Sequence, residues 1–277
     1  MTIAAGFVHR DGIVLCSDTQ QEAGASKYHG AKVGIADIPY GKIAFAIAGH
    51  ADFAITALQS CSAKLADVDP KDTITVLSEV LDSEYRRLVL THPLLKEDHS
   101  LPYWLLIALW QEKTKSCSLW VTQENSLHCC FDPFRAVGLG TDMANVIVRP
   151  FADDALMFSE PQALTLMAYM MARVKDTVPG CGGVSQYISI RNDGNASSLI
   201  NLSLEEIEKV SALYDKAAHS LLLSMNDDDD AVYNRAAMGF ISQALAVREN
   251  WKRIRRTNPE VRRFLGMTNE ERLRQQP

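Results

Sequence analysis

Two alternating apolar segments around Asp11-Gly12 constrain the fold of this chain more than any other feature. Residues 3–9 (IAAGFVH) and 13–18 (IVLCSD) flank Arg10-Asp11-Gly12. Asp-Gly between two such segments strongly predicts a tight hairpin, because these residues tolerate the positive φ angles that hairpin turns need. The pattern therefore predicts two paired strands at the start of the chain. Thr2 enters the first strand and Asp18 ends the second.

The rest of the chain alternates between apolar strand patterns and helical patterns. Strands are expected at 33–38, 43–49, 103–110, 117–122, 134–138 and 184–190, and helices at 50–66, 70 to about 92, 160–175, 204–224 and 231–255. Helices that follow strand hairpins in this order suit a sheet sandwich with helices on its outer faces. We therefore expect an α+β protein with a four-layer αββα sandwich and extra C-terminal helices.

Thr2 carries the first chemical hypothesis. If Met1 is removed, Thr2 carries both a nucleophilic hydroxyl and a free α-amine, and an α-amine has an unperturbed pKa of about 7.7–8.0. Such an amine can accept a proton near neutral pH, and threonine paired with its own amine is a recognised activated nucleophile. Many proteins begin Met-Thr, so this dipeptide gains weight only from the residues that follow.

Three segments that include or follow Thr2 carry a resemblance to a known family. The segments TIAAGFVHRDGIVLCSDT, GAKVGI and KIAFAIAGHAD resemble the N-terminal half of proteasome β-type subunits and bacterial proteasome-like proteases, which are N-terminal-nucleophile (Ntn) hydrolases. The resemblance implies Thr2 as the nucleophile, Asp18 and Lys32 as the charge pair, and the Gly49 N–H as an oxyanion donor. A nearby cation favours deprotonation of the hydroxyl. Taken singly, Asp18 is more often a strand-end turn residue, Lys32 a solvated loop lysine and Gly49 a helix start, but their occurrence together in this order favours the catalytic interpretation.

A fainter part of the resemblance lies further along the chain. It covers roughly residues 2–195 and implies supporting roles for Thr141, which follows Val137-Gly138-Leu139-Gly140, and for Asp176 and Cys181 in the segment 175–183. Cys181 stands where the family has a serine, and a thiol is a weaker hydrogen-bond donor. For Asp176 the alternative is an ordinary loop carboxylate.

Substrate contacts are also implied by the resemblance. Thr19, Gln20 and Gln21 follow the first acid, and Ile47 lies on the strand that enters the oxyanion glycine. None of these four side chains carries a charge. They therefore predict a preference for a small or medium apolar residue before the cut, over an acidic or basic one.

Composition narrows the remaining classes of function. The 277 residues carry a formal charge of −6, which gives no reason to expect nucleic-acid binding, and we see neither a membrane-spanning stretch nor an export signal. Six cysteines lack zinc-type spacing. Cys129 and Cys130 would face opposite sides of a strand. We therefore expect a cytoplasmic protein with reduced thiols, no metal and no cofactor.

The C-terminal part departs from the family pattern. We expect a catalytic domain at 1–203 and a helical extension at 204–277 that packs on the domain or on a neighbouring subunit. The tail is rich in arginine, and we interpret it as a solvated or subunit-facing surface rather than a nucleic-acid or membrane site.

Three functions remain open at this point. The first is a threonine-dependent endopeptidase that acts on peptides or unfolded proteins and assembles into a homo-oligomeric ring, with any ATPase or regulator unknown. The second is a catalytically silent subunit that builds an assembly or binds a partner. The third is an amidase that acts on small amides.

Overall fold

The computed structural model describes residues 2–23, 26–66, 69, 72–91, 103–123, 125–200, 205–225 and 229–264. Within them, twelve strands run in chain order: β1 (Ile3–His9), β2 (Gly12–Asp18), β3 (Gln20–Ala23), β4 (Ser26–His29), β5 (Val33–Ile38), β6 (Gly41–Gly49), β7 (Tyr103–Gln111), β8 (Ser116–Gln123), β9 (Ser126–Cys129), β10 (Phe134–Gly138), β11 (Ser185–Arg191) and β12 (Ala196–Ile200). The helices are α1 (Ala51–Leu65), α2 (Thr73–Thr91), α3 (Thr141–Val148), α4 (Glu160–Thr177), α5 (Glu205–Ser224), α6 (Asp230–Thr257) and α7 (Pro259–Phe264).

The strands form two antiparallel five-stranded sheets and one two-stranded ribbon. The first sheet has the order β10-β1-β2-β11-β12, the second β5-β6-β7-β8-β9, and β3 pairs with β4 alone. The predicted N-terminal hairpin is confirmed, because β1 pairs with β2 from Ala4 opposite Ser17 to His9 opposite Gly12. Gly12 adopts a φ of +151°, which is costly for other residues.

Residue size along β6 explains how the two sheets pack. Ala44, Ala46 and Ala48 belong to a buried cluster that they share with Leu15 of β2 and Leu106 of β7. Successive side chains of a strand point to opposite faces, so the intervening residues of β6 face away from the first sheet. Small alanine side chains allow the two sheets to lie close together.

Two further apolar clusters lie on the other faces of the sheets. Phe7 and Tyr187 of the first sheet pack with Met167 and Met171 of α4. On the second sheet, Ile47 belongs to a cluster that contains residues of α1 and α2. Helices 51–65 and 73–91 lie close to their predicted ranges, although positions 70 and 92 fall outside the described residues.

The expected four-layer αββα sandwich is not what the structure describes, although the α+β class is. Asp215 of α5 accepts a hydrogen bond from the Tyr169 hydroxyl at 2.5 Å and pairs with Arg173 Nε at 2.8 Å. Both partners lie on α4, and α6 packs in turn against α5. Helices α5 and α6 therefore pack on α4 and on each other beyond the first sheet, because their faces find helical partners there, and they do not lie in a single outer helical layer.

Candidate functional site

The candidate site lies where strand ends from the first sheet meet the start of β5. Thr2 precedes β1, Asp18 ends β2, and the first residue of β1 lies opposite Gly138, the last residue of β10. Lys32 precedes β5, and its carbonyl accepts a hydrogen bond from Ile47 N–H at 2.8 Å. Antiparallel pairing therefore brings Thr2 next to residues that are distant in the sequence.

Thr2, Asp18 and Lys32 form a closed hydrogen-bonded cluster. Lys32 Nζ donates to Thr2 Oγ1 at 2.5 Å and to Asp18 Oδ1 at 2.9 Å, and the Thr2 hydroxyl donates to Asp18 Oδ1. The three residues are 2%, 0% and 1% exposed, respectively. A lysine and a carboxylate buried this deeply are stabilised only when they pair with each other and with further polar groups.

Backbone and amide groups supply those further partners. Lys32 Nζ also donates to the Gln20 carbonyl oxygen, and Gly182 N–H donates to Asp18 Oδ2 at 2.8 Å. Gln186 Oε1 accepts from the Lys32 backbone N–H at 2.8 Å. The ammonium is thus held in one position, beside the threonine oxygen.

The main chain of Thr2 is held as firmly as its side chain. Its carbonyl oxygen accepts a hydrogen bond from Leu139 N–H at 2.9 Å. Gly138 has a φ of +95°, and a Cβ atom at this position would lie 2.3 Å from the Thr2 carbonyl oxygen. Met1 lies outside the described residues, so the surroundings of the amine that its removal would free are not described.

Thr141 and Gly49 both lie at the ends of strands near this site: Thr141 follows β10, and Gly49 is the last residue of β6. The Thr141 hydroxyl donates to the Gly138 carbonyl oxygen at 2.6 Å, which braces the turn that holds Thr2. Gly49 ends β6 with a φ of +88°, two residues before α1 begins. Its neighbour Ala48 lies beside Gly138, since a Cβ on that glycine would approach Ala48 Cβ to 3.1 Å.

Cys181 is buried close to the charge pair. Burial first, and then the negative charge of Asp18, raise the pKa of its thiol to about 12, so the thiol stays protonated at neutral pH. Cys181 precedes Gly182, whose N–H binds Asp18. The thiol therefore contributes packing beside Asp18 and no negative charge.

The structure does not bring Asp176 or the Ile47 side chain into the cluster. Asp176 lies in the last turn of α4, where it is exposed and pairs with Arg173 at 3.1 Å. The helix continues to Thr177, past the predicted end at 175, and keeps this carboxylate on its surface. Ile47 is fully buried on the face of β6 that packs against α1 and α2.

The three other predicted substrate residues run from the end of β2 into β3. The Thr19 hydroxyl accepts a hydrogen bond from Val184 N–H at 2.9 Å and lies 3.3 Å from His29 Nδ1. Gln20 is 8% exposed, and its N–H donates to the Gly182 carbonyl oxygen at 3.1 Å. Gln21 packs over Gly30, where a Cβ would lie 2.5 Å from Gln21 Nε2.

Sequence reasoning missed three contributors to the site: Gln186, Ser17 and the Gly182 N–H. Ser17 donates to the Ile3 carbonyl oxygen at 2.9 Å and to the Ile47 carbonyl oxygen at 3.2 Å, which links β1, β2 and β6. Gln186 lies opposite Ser17 across the β2–β11 pair. Both are polar residues within otherwise buried strands, and this was the one signal in the sequence that pointed to them.

The described residues also bear on metal binding and membrane insertion. Within the described ranges, no group of three or more His, Cys, Asp or Glu residues is placed to hold a metal ion. Among the helices that the structure describes, none combines the length and the apolar character needed to cross a membrane.

Neither a protein-family model nor a curated protein sequence matches this chain. Solved structures do match. An Anbu (Gly-1) mutant from Hyphomicrobium sp. strain MC1 has a TM-score of 0.67 at 14% identity, over 83% of this chain and 100% of the other. A helical assembly of the Anbu complex from Pseudomonas aeruginosa gives 0.66 at 11% identity, over 83% and 99%. Anbu (ancestral beta-subunit) from Yersinia bercovieri gives 0.65 at 11% identity, over 82% and 99%.

These matches correct the family suggested by the sequence. The chain has a proteasome-like fold, but the structures that it resembles are Anbu proteins, a family distinct from the proteasome β-type subunits named above. At these identities the likeness concerns the fold alone.

Proposed function

We propose that this chain is a subunit of a homo-oligomeric, proteasome-like assembly and that Thr2, once freed by removal of Met1, hydrolyses amide bonds in peptides. The observation that carries the proposal is the 2.5 Å contact between Lys32 Nζ and Thr2 Oγ1 in a buried cluster. A cation at this distance stabilises the alkoxide character that the oxygen gains as it attacks. Asp18 keeps the cation in place.

The proposed reaction has two halves. The Thr2 oxygen adds to the carbonyl carbon of the substrate, its proton passes to the α-amine, and that proton then goes to the departing amine as the C–N bond breaks. Water next adds to the resulting ester, and cleavage of the C–O bond regenerates the hydroxyl and releases the carboxylic acid. The Gly49 N–H, at the end of β6, is the proposed donor to the oxyanion of each intermediate.

A second candidate is the same assembly without catalysis. Two observations favour it. The structures of similar fold are Anbu proteins, one of them described as a helical assembly, and the Thr2 hydroxyl is only 2% exposed and already bonded to Asp18. Met1, if retained, blocks the amine that the reaction needs. In that case Lys32 and Asp18 stabilise the fold and the chain serves as a structural subunit.

Three measurements on one preparation separate these functions. Intact mass of the protein purified from its own cells reports whether Met1 is removed. Hydrolysis of a fluorogenic peptide panel and of small amides is compared with that of Thr2→Ala, and native mass spectrometry reports the assembly. Loss of Met1 with Thr2-dependent turnover supports the hydrolase. Retained Met1 without turnover supports the silent subunit, and a strict monomer at micromolar concentration contradicts both.

A further inference from the structure

The outward face of α6 carries an apolar stripe. Met238, Ile241 and Leu245 are 66%, 49% and 52% exposed among the described residues. Their spacing of three and four residues places them on one side of the helix, as in the seam of a helical pair. Three such side chains on a solvated helix lose favourable burial unless another surface covers them.

Another side of α6 packs against the core of the protein. Trp251 and Ile254 are 7% and 4% exposed and belong to the buried cluster on the first sheet. Val247 packs against the same cluster. The helix therefore cannot rotate to bury its apolar stripe without exposing these residues, and the stripe faces outward for a separate reason.

Charged and polar residues continue the stripe in both directions. At about 100° per residue, Asp230, Asn234, Arg248 and Lys252 all lie within about 20° of the direction of Ile241 around the helix. The first three are exposed and Lys252 is half-buried, with a 2.6 Å ion pair to Glu249 of its own helix. One face of α6 thus runs from an acidic start through an apolar centre to a basic end.

We infer that this face is the contact surface for α6 of a second copy of the chain, packed antiparallel about a two-fold axis near Ile241. Asp230 and Lys252 lie at equal distances along the helix on either side of Ile241, as do Asn234 and Arg248. An antiparallel pair therefore sets each Asp230 opposite the partner's Lys252, and Met238 beside the partner's Leu245. Such a self-complementary surface is what a two-fold interface requires.

The reverse orientation is disfavoured by the same charges. In a parallel pair Asp230 would face Asp230, and Arg248 and Lys252 would face their own copies, which is repulsive at each end. The 28-residue helix is about 42 Å long, so the apolar centre and both charged ends fit within one contact. This inference refines the assembly part of the proposed function, on which it rests, and it is independent of Thr2 chemistry.

Disulfide mapping on the full chain tests the orientation. Copies of residue 241 meet at the axis, so Ile241→Cys should form an intermolecular disulfide under mild oxidation. Copies of residue 248 would lie about 21 Å apart, beyond the roughly 7 Å that a disulfide spans. Arg248→Cys alone and Asn234→Cys alone should therefore fail, while a mixture of the two should cross-link. Peptide mapping excludes native cysteines, and the unmodified chain gives the background.

Charge reversal supplies a second, independent test. Asp230→Lys and Lys252→Glu should each raise the dissociation constant of the α6 contact about tenfold, and the double variant should restore it to within about threefold. Arg235→Glu is the matched control for Lys252→Glu, because it makes the same charge change at an exposed position on another side of α6 and should have no effect.

The outcomes separate this inference from the proposed function. An assembled protein whose Ile241→Cys and mixed variants cross-link no more than background overturns the α6 contact and leaves the assembly intact. Cross-linking of Arg248→Cys to itself overturns the antiparallel orientation. A strict monomer overturns the contact and the assembly together, whereas loss of turnover in Thr2→Ala leaves the contact untouched.

Discussion

Lys32 Nζ lies 2.5 Å from Thr2 Oγ1, although the two residues precede different strands, and both side chains are buried. The contact places a cation against the one hydroxyl that Met1 removal would turn into an N-terminal nucleophile. Asp18 bonds both groups, so charge, orientation and proton position are coupled in a single cluster.

Removing the cation should abolish amide hydrolysis. In Lys32→Met the charge that favours the alkoxide is lost, and we expect kcat/KM to fall by roughly 10²–10⁴. Lys32→Arg should also lose most activity, because a planar guanidinium cannot take the place of a compact ammonium. The measurement is turnover of a peptide that the unmodified enzyme cleaves, and Thr2→Ser, which keeps hydroxyl and amine, should retain part of the rate.

Lys32→Met also leaves the Asp18 carboxylate buried without its cation, at a cost of about 3–5 kcal/mol. The double variant Lys32→Met/Asp18→Asn removes both charges and should recover much of that stability while remaining inactive. Urea unfolding of the three proteins distinguishes a loss of chemistry from a loss of fold. Activity in the folded double variant would rule out the role given to Lys32.

Gln186 should position Lys32 rather than take part in the reaction. Its Oε1 accepts from the Lys32 backbone N–H at 2.8 Å. Gln186→Met removes the acceptor at similar size and should lower kcat by about tenfold with little change in KM, because Lys32 is no longer held in register. Gln186→Glu keeps an acceptor oxygen and should be less damaging in kcat. Equal losses in the two variants, matched by equal losses in stability, would indicate a structural role alone.

Gly138→Ala should displace Thr2. The new Cβ would lie 2.3 Å from the Thr2 carbonyl oxygen at a residue with a φ of +95°, so the turn must shift. We expect both a lower melting temperature and a severe loss of turnover. Gly239→Ala is the matched control, since a Cβ there meets nothing within 4 Å and lies inside α6, where alanine is about 1 kcal/mol better than glycine. Wild-type activity in Gly138→Ala would show that the turn does not position Thr2.

Stability should fall below neutral pH because of His9. Burial, the largest effect, lowers its pKa from 6.5 to about 4. Its Nδ1 accepts from Asp11 N–H at 3.2 Å, and Nε2 has no hydrogen-bond partner in the described part of the chain. In the unfolded chain His9 therefore binds a proton below about pH 6.5, whereas in the folded chain it binds one only below about pH 4.

By linkage, the free energy of unfolding should drop by about 2 kcal/mol between pH 7.5 and pH 5 on account of this residue. Urea titrations at the two pH values measure the drop, and His9→Gln removes the titrating group and should reduce the difference between them. An unchanged pH dependence in His9→Gln would assign the effect to other residues.

Local patterns in the sequence were sufficient to predict the first hairpin and the main helices. Alternating apolar residues around Asp11-Gly12 specify the turn and the register of β1 on β2, so Thr2 and Asp18 had to lie at the same end of that hairpin. The long helices follow from their period of apolar residues, although α4 continues past its predicted end and carries Asp176 away on its surface. Ile47 faces the helices because β6 alternates small and large residues, a pattern that is visible in the sequence.

The sequence by itself indicated Thr2, Asp18 and Lys32 as candidate residues and determined that Thr2 and Asp18 would meet, because a hairpin closes within a few residues. Tertiary structure alone decided the rest. Lys32 reaches Thr2 only because β5 lies on the second sheet and that sheet packs on the first, and Gln186 reaches Lys32 only through the pairing of β11 with β2. The packing of α5 and α6 beyond α4 likewise could not be predicted from the local pattern of apolar residues. Contacts of this kind depend on which strands and helices become neighbours, and local periodicity carries no information about that choice.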